Sequence, residues 1–443
     1  MSGRGGSPRR TLAPSLLAGL GGALALLALE GRSAMAAETG PAGLTFAEAV
    51  GAAEQAPRVT GSAAAARVKR DADRAVGRLT HNPQLTVQPG YRVLPGNARE
   101  PELILEVVLP FSLTGAGGAR LRAISAEESV LDAAALAGRL EQRLAAGRAW
   151  IDLWAAQRVL EEARREEQIA GELSRLVERA AAVAAATRAD VGDARGFHAE
   201  AALQVLAAEG EVHDLGLALA REAGLRVAGP LVASGALPTV ELPPRSEWAA
   251  QVERAVALPG ARLAALRLRA QRAREVEEKA ARGSVMQLGA NVQRDAPGGL
   301  VASAVVRLVP SWADRGERER ASLAAEAARL EGERRSAEIA AATEILMAQH
   351  EYEHTAEMSA ALSERLVPAA REAAEARARI FQAGEATLPE VLQARRVELV
   401  AVSRQQRALG AHAWAEIKLW LLLAAIEPGD GQGTSSPKTG ARP

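Results

Sequence analysis

Two stretches decide the architecture of this chain: Thr187-Arg188-Ala189-Asp190-Val191-Gly192-Asp193-Ala194 and Gly384-Glu385-Ala386-Thr387-Leu388-Pro389-Glu390-Val391-Leu392-Gln393-Ala394. Each interrupts an Ala/Glu/Arg-rich run far longer than a globular helix, and the pairs Val191/Val391 and Ala194/Ala394 keep an offset of 200 residues. Working outward, the same offset links Pro110 to Pro310, which close two segments of strand character, Leu103 to Leu109 and Val301 to Val309. A partner strand precedes each, Gln84-Leu85-Thr86-Val87-Gln88 and Val285-Met286-Gln287-Leu288-Gly289-Ala290-Asn291-Val292, after helical stretches over 44–78 and 246–282. Glycines follow the second strand of each copy, Gly115 to Gly118 and Gly316. Repeated order and spacing indicate a duplicated strand-hairpin/long-helix unit. The first repeat covers 37–230, with its hairpin over 84–109 and its helix tip over 184–194. The second covers 231–426, with its hairpin over 285–309 and its tip over 381–394, and a polar tail of disordered composition fills 427–443.

Geometry limits what such a unit can be. A continuous helix from Gly115 to Ala185 spans roughly 100 Å at about 1.5 Å per residue. Leu136, Leu140, Leu144 and Ile151 give it an apolar face that requires a partner helix, and Trp150/Trp154 and Leu173/Val177 read as packing on the same stripe. Strands of about 7–10 residues match a tilted transmembrane β-strand. Ser303 and Arg307 fall on one face of the last strand, Val306 and Leu308 on the other, the pattern of a wall between lipid and water. Under the 200-residue offset, Glu106 falls on the opposite parity to Arg307, a mismatch of one position. Two hairpins supply four strands, too few to close a barrel, and open edges cannot face lipid. Strands of this kind in a membrane require several subunits sharing one barrel.

Composition narrows the functional classes. The 443 residues hold 54 basic and 54 acidic side chains, without the positive footprint of a nucleic-acid binder. The absence of cysteine excludes disulfides, thiolate metal sites and cysteine nucleophiles. Ala, Glu, Arg and Leu dominate and only 3% of residues are aromatic, a composition of long helices rather than of an enzyme core. At the N-terminus, Arg4, Arg9 and Arg10 precede an apolar stretch from Leu12 to Leu29. Ala34-Met35-Ala36 then fits signal-peptidase cleavage, so residues 1–36 read as an export signal.

These features together resemble the TolC family of outer-membrane efflux proteins, across residues 44–426. The resemblance is carried by Leu44-Thr45-Phe46-Ala47-Glu48-Ala49-Val50, by Asn82-Pro83-Gln84-Leu85-Thr86-Val87, and by the strand ends Leu109-Pro110-Phe111 and Val309-Pro310. Most specific is Phe381-Gln382-Ala383-Gly384 through Glu390-Val391-Leu392-Gln393-Ala394, similar to the family's aromatic-x-x-G…D-V-L-x-A helix tip. The resemblance implies a mainly α protein with a small membrane β part, a homotrimer in which four strands per chain build a shared 12-stranded β-barrel above a periplasmic coiled-coil tunnel. It implies an exit duct in the outer membrane, serving a tripartite efflux pump or a type I secretion system. The partners would be a periplasmic adaptor protein and an inner-membrane transporter of the RND or ABC type. It implies passive transport, no enzyme activity and no cofactor, and leaves the heavy-metal branch as one possible placement.

In the family the helix tips close the periplasmic entrance with acidic residues. The matching positions here are Arg188, Asp190 and Asp193 in the first copy and Gly384, Glu390 and Gln393 in the second. A ring of carboxylates at a constriction gathers cations. The alternative role for Asp190 and Glu390 is to cap helix N-termini in a solvated turn. Gln393 is neutral, which weakens an inner ring, and Arg188 has Asp190 or Glu390 as candidate partners. Tyr91, Phe111 and Trp312 are candidates for an aromatic belt. One further motif, His350-Glu351-Tyr352-Glu353-His354, matches H-E-x-x-H, which on a helix sets two imidazoles on one face for zinc with Glu351 as base. Catalysis also requires a third ligand in a cleft. The motif lies inside the long helix of the second repeat, where two solvated or inter-helical histidines are the simpler reading. A third class, an exported coiled-coil protein without a pore, requires the four strands to be surface loops instead.

Overall fold

The computed structural model describes residues 43–426 apart from 78–81, 94–95, 97–98, 228, 296–298 and 311–315. The export segment 1–36, the tail 427–443 and Trp312 lie outside the described residues. The chain begins with a two-residue strand, β1 (Gly43–Leu44). Helix α1 (Phe46–Glu54) starts at a capping box: Thr45 accepts from the Glu48 amide, and Glu48 accepts from the Thr45 amide at 2.8 Å. The first helical stretch is not one helix. It stops at Gln55 and restarts as α2 (Pro57–Gly77), because a proline supplies no amide for a continuing helix but suits the start of a new one. The second stretch breaks in the same way at Leu258–Pro259, between a short helical lead-in containing α5 (Trp248–Glu253) and α6 (Pro259–Ala281).

Strands β2 (Gln84–Val93) and β3 (Arg99–Ser112) form the first hairpin, β5 (Val285–Asp295) and β6 (Gly299–Val309) the second. They are longer than their sequence patterns predict, β3 reaching 14 residues. The hairpins join antiparallel into one four-stranded sheet ordered β2-β3-β5-β6. From β3 the chain turns through Gly115 (φ 72°) into α3 (Ala116–Ala182), and from β6 through Gly316 (φ 63°) into α7 (Glu317–Ala361). Both are left-handed positions, where glycine is favoured for want of a Cβ. Their offset is 201 rather than 200. Helix α4 (Arg188–Glu222) returns from the first tip, and β4 (Val232–Ala233) pairs parallel with β1, tying the connector between the copies to the start of the first.

α3 is 67 residues long, about 100 Å at 1.5 Å per residue. Its second-copy counterpart is not uniform: α7 passes through a π-helical turn (Leu362–Leu366) into α8 (Val367–Gln382). Pro368 follows this turn, and the lost amide explains why the α-helical ladder gives way there. Helix α9 (Leu388–Ile426) closes the chain. By length and composition it could cross a membrane, but 61% of its apolar window is buried within the protein, as in a core helix. Two clusters hold the helices together. Phe46, Trp150, Ile151, Leu219, Trp414 and Ile417 form one, and Trp248, Leu258, Ile345, Leu419 and Leu422 the other. Each contains an edge-to-face aromatic pair, Phe46–Trp150 at 5.6 Å and Trp248–Tyr352 at 6.0 Å. The Trp150 indole donates to the Leu44 carbonyl at 2.7 Å. Leu136, expected on the buried stripe, is instead exposed, while Ala133 before it is buried and Leu140 after it packs against the first cluster.

Candidate functional site

The tips come together within one chain. Val177 of α3, Ala194, Phe197 and Ala201 of α4, and Leu388 and Leu392 of α9 form a buried cluster, flanked by Phe381. The two helix turns are therefore packed against each other. Arg396 reinforces the contact by pairing with Glu200 at 2.8 Å while lying over the Phe197 ring.

At the first tip Asp190 belongs to a complete capping box. Its carboxylate accepts from the Thr187 amide at 2.8 Å and hydroxyl at 2.7 Å, and the Asp190 amide donates to the same hydroxyl at 3.1 Å. These bonds to the charged form, the backbone one foremost, hold its pKa below the usual carboxylate range. At the second tip Glu390 accepts from the Thr387 amide at 3.1 Å and faces Arg377 at 3.6 Å. Among the described residues, the guanidinium paired with Glu390 is thus that of Arg377, not of Arg188. Asp193 and Gln393 are exposed, one turn further into their helices. Gly384 turns the chain at φ 77°, and Ala184, its counterpart, adopts the same left-handed conformation at φ 59°.

Glu166 carries a feature that the sequence reading missed. It occupies the buried stripe of α3 between Ala163 and Ala170, is 6% exposed, and leaves its Oε1 without a hydrogen-bond partner. It lines a cleft of about 410 Å³ with Phe197 and Ala201 of α4 and Leu399 and Ser403 of α9. Burial pushes its pKa up to about 7, opposed by Arg395 and assisted by Glu398. The available signal was a glutamate at an apolar-stripe position.

The sheet is two-faced. One rung reads Leu85–Val107–Ala290–Ala304 and the next Thr86–Glu106–Asn291–Ser303. The following two are Val87–Leu105–Val292–Ala302 and Gln88–Ile104–Gln293–Val301. One face is largely apolar and solvent-exposed, with Leu85 at 67%, Val306 at 71% and Leu308 at 61%. Its one arginine among the described side chains of β5 and β6 is Arg294, opposite Leu300 near the hairpin end. The other bears the polar residues, and there Arg307 reaches Glu106 at 3.4 Å and Gln287 at 3.3 Å. This settles the parity mismatch: the strands repeat at 201 residues, like Gly115/Gly316, whereas the tips repeat at 200. Tyr91 and Phe111 stand exposed on the apolar face toward opposite ends of the sheet. Tyr91 is level with Pro101, so about ten residues of strand separate the rings. That is roughly 33 Å along the strand, and about 25 Å vertically for a tilted one.

His350 and His354 lie exposed on α7, rings stacked at 6.0 Å. Glu351, the candidate base of the H-E-x-x-H reading, is held by Lys418 at 2.9 Å. Among the described residues no third His, Cys, Asp or Glu joins the pair.

No family model matches the sequence, and no curated protein matches it. Solved structures do. The chain is similar to CusC, described in connection with transmembrane channel formation, at TM-score 0.71 and 16% identity over 85% of this chain and 91% of that one. It is similar to the outer-membrane protein VceC of Vibrio cholerae at TM-score 0.66 and 17% identity, covering 85% and 95%. The outer-membrane channel CmeC of Campylobacter jejuni gives TM-score 0.68 and 13% identity, covering 87% of each. The duplicated hairpin and long-helix unit is thus the fold of outer-membrane channel proteins, the fold that the TolC-family resemblance of its tip and strand motifs implies.

Proposed function

We propose that this chain is a TolC-family outer-membrane channel, the exit duct of a tripartite efflux pump, working as a homotrimer. The observation that carries the reading is the two-faced, four-stranded sheet with open edges at β2 and β6. An apolar face rimmed by Tyr91 and Phe111 suits lipid, and a face bearing Glu106, Gln287, Asn291, Ser303 and Arg307 suits a water-filled lumen. Open edges are untenable in hydrocarbon, and pairing β2 of one copy with β6 of the next removes them. Three copies then make a 12-stranded barrel, and the helices of about 100 Å extend as a tunnel into the periplasm. The tips at its far end meet a periplasmic adaptor, which links the duct to an inner-membrane transporter. No bond is made or broken in the chain; it supplies a path, and the transporter supplies the energy.

Asp190 is occupied as a helix cap, so the charges available to the passage are Asp193 and, shared with Arg377, Glu390. Single-channel recording in planar bilayers tests the reading. The expected result is stepwise, cation-preferring conductance, with the preference reduced by Asp193→Asn and Glu390→Gln. Absence of conductance from correctly folded, membrane-inserted protein contradicts the channel, and conductance with unchanged selectivity in both variants removes the tip carboxylates from it.

A further inference from the structure

We propose that His350 and His354 form a chelating site for a borderline-soft transition-metal ion, Cu(II) foremost, on the exposed face of α7. Residues four apart on a helix are surface neighbours, and here the two rings are nearly parallel, 14° between planes, with centroids 6.0 Å apart. Both side chains are exposed, and among the described residues neither imidazole has a hydrogen-bond or ion-pair partner. His412, by contrast, contacts Thr355 at 3.4 Å and lies tilted against the Tyr352 ring at 5.3 Å. The acidic residues of the motif are committed as well, Glu351 to Lys418 and Glu353 to Arg245 at 3.1 Å. These contacts fix the helix from its buried side and leave the imidazole pair free on the other.

The helix holds the two nitrogens' backbones in place before any ion arrives, so little ordering entropy is lost on binding. Imidazole suits Cu, Ni and Zn, and Cu(II) binds most tightly among divalent ions at a given nitrogen site. Met347, three residues before His350, and Met358, four after His354, extend the same stripe and are 63% and 40% exposed. Thioethers are soft donors, which suit Cu(I) or Ag(I) supplied as such. Water completes the coordination. With Glu351 ion-paired and no third protein ligand, the site binds and does not catalyse. It rests on one helix face, and its test reads metal binding rather than conductance, so its failure and the failure of the channel reading are distinguishable.

The test is Cu(II) titration of the full-length, detergent-solubilised protein after chelator treatment, read by electron paramagnetic resonance and calorimetry. The expected result is one Cu(II) per chain with nitrogen coordination. His350→Ala or His354→Ala each weakens binding at least about tenfold, because even outer-shell partners are worth that much. Met347→Leu with Met358→Leu leaves Cu(II) affinity unchanged and weakens Ag(I), the redox-inert stand-in for Cu(I). Wild-type Cu(II) affinity in the His350→Ala/His354→Ala double variant, or no stoichiometric binding by the parent, overturns the site.

Discussion

At the first tip Ala184 turns the chain with φ 59°, and at the second Gly384 does so with φ 77°. The first tip caps its return helix with the reciprocal Thr187–Asp190 box. The second joins Thr387 to Glu390, whose carboxylate is divided between that amide and Arg377. Behind the first tip α3 is an unbroken α-helix with a buried glutamate one turn before Ala170; behind the second, a π turn intervenes and the buried residue before Ala370 is Val367. The copies thus share a backbone design while its strain and charge are distributed differently. Backbone geometry is dictated by packing common to both copies, whereas each side chain answers to its own neighbours.

The largest effect that sharpens this contrast lies in the sheet, where the faces differ more than the copies do. An arginine at Val306 is expected to destabilise the membrane-inserted protein by about 2–4 kcal/mol, whereas one at Ser303, on the opposite face, has little effect. Urea titrations of both variants in lipid vesicles measure the difference, and equal penalties break the assignment of faces. Next is Glu166. A carboxyl whose pKa is raised from 4.5 to about 7 contributes stability fully present below the unfolded value and lost as pH rises through the folded one. Glu166→Gln therefore stabilises the helices by about 2 kcal/mol at pH 8, allowing for residual solvent in the cleft, and is nearly neutral at pH 4. Unfolding midpoints across that range read it.

Smaller again is the capping asymmetry: Thr187→Ala costs about 1 kcal/mol of local stability, and Thr387→Ala less, because only the first hydroxyl joins a reciprocal box. Hydrogen exchange at the tip amides separates the two. The turn residues have opposite signs, the first as large as a cap and the second the smallest effect of all. Gly384→Ala costs about 1 kcal/mol, and Ala184→Gly gains a few tenths, the relief of left-handed strain being offset by glycine's larger unfolded-state entropy. A loss from Ala184→Gly by the same exchange measurement contradicts the strained turn.

Much of this molecule could be read before its structure. Val191/Val391 and the glycines exposed the duplication, and Ser303/Arg307 against Val306/Leu308 exposed the two-faced wall. Those signals are local and periodic, whereas Pro110 lies inside β3 and is one position out of register with Pro310, which follows β6. The misplaced parity at Glu106 arose because one offset was applied throughout, when strands and tips repeat at different intervals. Glu166 was overlooked since its burial depends on α4 and α9, more than thirty residues away in sequence, and Arg377 because its partner lies across the turn. The π turn at Leu362–Leu366 had a marker, Pro368, whose effect in a long helix depends on neighbours able to hold it.

The central claim is that open sheet edges are closed by identical chains. Light scattering on the detergent-extracted protein, with the detergent contribution subtracted, measures it most directly. A protein mass of three chains is the expected result; a monodisperse single chain that remains soluble without detergent contradicts the account.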